Sequence, residues 1–170
     1  MYELSLLFFQ IAIFQKGPQD VPASPLVLRL LLPVYVAINY LILFLNGTQA
    51  TALLQIGVDF GLIVLFCWPL LYSSGKIARF PQTLAAMVGT SVVLSFFALP
   101  AIATLNANAN DLAYFAMLAL VLWHWLVSGH IMRHALDQSL FFGLGLALLY
   151  IMLSSQIMAA LFPELTGSTQ

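Results

Sequence analysis

The sequence predicts an all-α integral membrane protein: a bundle of five transmembrane helices with a short N-terminal interfacial helix. Three observations carry that class. The chain of 170 residues is 62% hydrophobic and only 6% charged, against about 25% charged in an ordinary soluble domain. Its mean hydropathy is +1.02. The apolar residues also fall into blocks, most of them long enough to cross a hydrocarbon core, which takes roughly 20 helical residues. Short loops rich in Gly, Pro, Asn and charge separate the blocks.

The N-terminal segment, residues 1–25, begins with an apolar run, Met1–Phe14, that is too short to span. It lacks a basic n-region and an A-x-A cleavage site, so it is a poor signal peptide. It reads as a helix lying at the membrane surface or packed on the bundle. Pro18, Pro22 and Pro25 then exclude a continuous helix.

The first span is expected over 26–45, with Arg29 one turn inside its start and able to snorkel to headgroups. The second covers 50–72 and contains Asp59. A basic loop with Lys76 and Arg79 leads to the third, 82–105. The fourth covers 112–132 and the fifth 139–162, and 163–170 form a polar extracytoplasmic tail. Lys16, Arg29, Lys76, Arg79 and Arg133 all fall on one side of this layout. The positive-inside rule therefore puts the N-terminus in the cytoplasm and the C-terminus outside. In a bacterium that is the inner membrane, with the tail in the periplasm. Small-xxx-small spacing at Ala85/Gly89 and Gly143/Ala147 permits close helix approach.

The fourth block draws most attention. Between Asp111 and Asp137 it holds all three histidines and two of the three tryptophans. An ionisable group inside a span costs about 2.5–3.5 kcal/mol on insertion scales and is a functional candidate for that reason. Asp59 and His124 qualify. At about 1.5 Å per residue they lie about 14 and 18 Å below the outer boundary, close enough in depth to pair. Such a pair suits proton shuttling or cation binding; the plainer reading is that it holds the bundle together. Asn39, Gln55 and Gln156 form a shallower set and are expected as interhelical polar locks, with a polar cavity as the alternative. His130, Arg133, His134 and Asp137 form a patch at the cytoplasmic interface. His130, His134 and Asp137 share one helical face. Polar residues cost little at an interface, so the plain reading is an ordinary interfacial face; the alternatives are headgroup or partner contact and, by spacing, a metal, though the glutamate of the known zinc signatures is lacking.

The sequence contains no nucleophile elbow, P-loop, dinucleotide fingerprint or acidic metal motif. Cys67 stands alone, so neither an intrachain disulfide nor a cysteine metal cluster forms. With a net charge of −1 the chain implies no nucleic-acid partner. No cofactor is expected; haem is disfavoured because all three histidines share one helix. The five-span layout, Gly17-Pro18 before the first span and the basic loop GKIARFPQTL resemble the bacterial members of the Yip (Ypt-interacting protein) superfamily. That resemblance implies a membrane-organising or partner-binding role without catalysis. The expected function is a non-enzymatic accessory or scaffold subunit that binds membrane lipids and other membrane proteins, or itself. The alternative is a small transporter or proton-coupled channel built on Asp59 and His124.

Overall fold

The structure, a computed structural model, describes residues 2–47, 50–107 and 110–163. It is a helical bundle: α1 (Tyr2–Ala12), α2 (Pro25–Leu45), α3 (Ala52–Ser73), α4 (Phe80–Ala107), α5 (Asp111–Leu136) and α6 (Leu140–Leu161). The last five are long and apolar enough to cross a membrane, the architecture of a multi-pass membrane protein. The expected tail lies outside the described residues except for Pro163 at its start.

Three of the helices start where the sequence supplies a cap. The Ser24 side chain accepts from Leu26 N before α2, Asn110 from Ala113 N before α5, and Ser139 from Phe142 N before α6. Such oxygens satisfy amides that have no partner inside the helix. The α5 helix runs to Leu136, a turn beyond the apolar block that marks it in sequence. Hydrophobicity ends near Arg133, but the backbone continues to a left-handed cap at Asp137.

Helix α4 is the hub, packing against α1, α2, α3 and α5, whereas α6 packs on α5 and α3. Every residue from Thr83 to Thr90 is buried. Gln82 Nε2 donates to Val21 O, and Asn106 Nδ2 donates to Leu45 O, so α2 and α4 run in the same direction. The bundle therefore has a basic end, which gathers Lys16, Arg29, Lys76, Arg79 and Arg133, and a far end with no Lys or Arg. Large apolar side chains such as Leu112 and Phe141, 79% and 87% exposed, cover the outside.

The first helix packs one face on the bundle. Leu7, Phe8, Ile11 and Ala12 form a buried stripe at the spacing of one helical face. Phe8 lies over Gly89, where an added Cβ would collide with its ring. Phe9 meets Phe97. So α1 lies against the middle of α4, packed on the bundle. Of the two expected small-residue pairs, Ala85/Gly89 serves this contact. Gly143/Ala147 serves α5: a Cβ at Gly143 would strike the backbone oxygen of Gly129 and the backbone nitrogen of Arg133.

Candidate functional site

Asp59 is the centre of the polar interior, and its partner is a residue the sequence does not flag. Tyr35, buried on α2, donates its hydroxyl to Asp59 Oδ2. A neutral donor lets the carboxylate sit inside the bundle with one oxygen satisfied. His124 faces Asp59 across a cavity of about 300 Å³ that Ser91, Tyr150, Ser154 and Ser155 also line. Among the described residues no hydrogen bond or ion pair joins Asp59 to His124. They share a chamber without a bond between them.

Asp59 also borders a second cavity. This one, about 220 Å³, lies between α2 and α3 and has Tyr35, Asn39 and Gln55 on its polar side. Ile42, Leu43, Ile56 and Met158 form its apolar wall. The carboxylate thus stands between two chambers. The rise arithmetic that matches Asp59 to His124 also brings in Tyr35, about 15 Å from the far end of α2. Tyrosine is uncharged at neutral pH, so charge alone does not single it out.

The three amides do not act as interhelical locks. Asn39 Nδ2 donates to Tyr35 O at 2.8 Å, and Gln55 Nε2 donates to Thr51 Oγ1 at 2.7 Å. Each bond stays within one helix or its cap, because a partner one turn back is nearer than any on a neighbouring helix. Gln156 is exposed on α6 and lines neither chamber. Among the described residues, Gln55 Oε1 is buried and has no hydrogen-bond partner.

The expected patch at the end of α5 divides into two devices. One receives α1. Phe14, in the left-handed conformation, ends α1 with a Schellman pattern: Phe14 N donates to Ile11 O and Gln15 N to Gln10 O. The next free carbonyl, Ala12 O, accepts from Trp123 Nε1 at 2.7 Å. Lys16 O lies 2.9 Å from His130 Nε2; a carbonyl only accepts, so that nitrogen carries a proton. The His130 ring packs edge-on against Phe14 and His134. His130 is therefore a buried bridge.

The other device closes α5. Asp137 Oδ2 accepts from Arg79 at 2.8 Å and from Lys76 at 2.9 Å. Lys76 also donates to Leu136 O, and Arg79 to His134 O and Ala135 O. Cations at a helix C-terminus satisfy its last carbonyls and complement its dipole. The Arg79 guanidinium, then the Lys76 ammonium, hold the Asp137 carboxyl down at about 2. Arg133 stays exposed. Among the described residues no three His, Cys, Asp or Glu side chains are grouped to hold a metal. Gly17-Pro18 also joins this end: Gly17 is buried, and Pro18 lies beside Arg79, Thr83 and His134.

At the far end α4 and α5 leave a groove of about 490 Å³ between them. Its walls are Phe97, Pro100, Ala101, Ala113, Ala116 and Trp123. Phe97 and Trp123 also touch α1, so the groove continues the seat that α1 occupies.

No family profile, curated protein or solved structure matches this chain.

Proposed function

We propose that this chain is a multi-pass protein of the bacterial inner membrane, with its N-terminal segment in the cytoplasm and its C-terminus in the periplasm. The collection of all five Lys and Arg at one end supports that orientation. It works there without catalysis, as an accessory or scaffold subunit that binds a membrane helix of another protein. The groove between α4 and α5 is the observation that carries this reading. Alanines on both of its walls permit close backbone approach. Helix docking has an intramolecular precedent beside it, where α1 lies on the same face. Lipid chains cover the remaining apolar surface. The five-helix layout behind the resemblance to the Yip superfamily fits the same role.

Purification from native membranes in mild detergent tests it. A second membrane protein is expected to co-purify with the wild type and to be lost with Ala116→Trp, which fills the groove. A monomer that purifies alone, or a complex unaffected by the substitution, overturns the reading; a second copy of the chain in place of another protein redirects it to self-association.

A second reading has its own support, because Asp59 stands between two polar chambers. In that reading the protein is a small transporter or proton-coupled channel, with Asp59 and His124 passing the proton. Proteoliposomes loaded with a pH-sensitive dye should show proton flux that Asp59→Asn abolishes. Flux that survives the substitution, or an absence of flux in the wild type, rules this reading out.

A further inference from the structure

We infer that the cavity between α2 and α3 binds a small primary ammonium ion, with Asp59, Gln55 and Asn39 as acceptors. The inference needs neither partner docking nor proton flux, so it stands apart from both readings above.

The polar side of this cavity offers acceptors. Tyr35 occupies Oδ2 of Asp59 and leaves its other oxygen. The Nδ2 of Asn39 is committed to Tyr35 O, so the amide presents its oxygen. Gln55 is 1% exposed, its Nε2 is committed to Thr51, and its Oε1 has no partner. A buried acceptor left unpaired costs about 1–3 kcal/mol. Its presence beside a carboxylate in a chamber this size points to a ligand that donates.

Charge and size narrow the class. One carboxylate calls for a single positive charge. The cavity, about 220 Å³, has room for several waters at roughly 30 Å³ each. A bare metal ion needs a tight shell of oxygens, which a chamber of this volume does not provide. An alkylammonium carries three N–H donors on one nitrogen, matching the three acceptors. Its short carbon chain then has Ile42, Leu43, Ile56 and Met158 to lie against.

Thermal unfolding of the full chain in detergent, followed by tryptophan fluorescence at pH 7 and constant ionic strength, tests this. Saturating ethylammonium chloride should raise Tm by roughly 5–10 °C over sodium chloride. Tetramethylammonium, which has no N–H, and ethanol, which has no charge, should not. Asp59→Asn should lose the shift. Gln55→Leu should weaken ethylammonium binding at least about tenfold while its own Tm stays level or rises, which guards against a merely misfolded variant. Ser154→Ala, in the other chamber, should keep the full shift. An equal shift with sodium or tetramethylammonium, a shift that survives both Asp59→Asn and Gln55→Leu, or no shift in the wild type overturns the proposal.

Discussion

The two halves of this bundle solve opposite problems. From the middle of α5 to the basic end, long side chains reach across to carbonyls on other segments. Trp123 reaches Ala12, Trp125 reaches Leu144, His130 meets Lys16, and Gln82 reaches Val21. Lys76 and Arg79 close the end of α5 in the same way. Small residues let α1 sit on α4 and α6 on α5. Toward the far end the bonds turn local, at Asn39 and Gln55. Asn106 to the end of α2 is a link between helices there. Both polar chambers reach toward that end, and the apolar groove opens there. The difference teaches where the fold is held and where it is left open to act. Irregular backbone deep in a bundle survives only if protein groups satisfy it. Where α1 ends, Trp123 meets that demand for Ala12 O and His130 for Lys16 O.

The largest expected effect comes from crowding the held half. Gly143→Ala should cost about 1–3 kcal/mol, because the added carbon meets backbone that cannot yield. Gly145→Ala, where the same carbon meets open space, should be neutral or should gain up to about 1 kcal/mol from helix propensity. Equal melting temperatures for the two variants would break the comparison. Next in size is Trp123→Phe, which keeps a ring but removes the donor to Ala12 O. It should cost about 1–3 kcal/mol by stranding a buried carbonyl. Limited proteolysis should then cut within residues 13–24 sooner than in wild type.

The open half should behave in the reverse way. Deleting its buried amide by Gln55→Leu removes an unpaired group, so stability should stay within about 1 kcal/mol of wild type or exceed it. A loss as large as that of Trp123→Phe would mean that Gln55 holds the fold after all. The smallest effect is expected at exposed Asp137. Its folded pKa, about 2, lies below the ordinary carboxylate value near 3.9. Its contribution is therefore complete above that ordinary value and is lost as pH falls through about 2. Melting temperatures at pH 5 and pH 2 should diverge less in Asp137→Asn than in wild type; an equal fall in both would remove the ion pairs from the account.

Much of this fold is legible in the sequence. The five long helices follow from block length alone, since an apolar run sized to a bilayer leaves few alternatives. Depth arithmetic also placed Asp59 and His124 at one level, and they do border one chamber. What stayed hidden was direction around the helix axis. Spacing fixes how far along a helix a residue sits; it does not say which neighbour that residue faces. For that reason the sequence does not single out Tyr35 as the partner of Asp59, and it suggests interhelical locks at Asn39 and Gln55, whose amides bond within their own helix or its cap. Lys76 and Arg79 read as markers of orientation, yet they cap α5. Trp123 is in sequence only one of two tryptophans in the fourth block, yet its N–H closes α1. Both roles depend on carbonyls, which every residue has and no sequence pattern announces.

Cysteine accessibility measures the central contrast most directly. In a Cys67→Ala background, single cysteines at Asn39 and Ser154 line the open chambers, and cysteines at Thr83 and Ser128 sit in the sealed half. A charged, membrane-impermeant thiol reagent should label the first pair in intact protein and leave the second pair unlabelled until the protein is unfolded. Labelling of Thr83→Cys and Ser128→Cys at rates matching the chamber positions would contradict the division of this bundle into a held half and an open one.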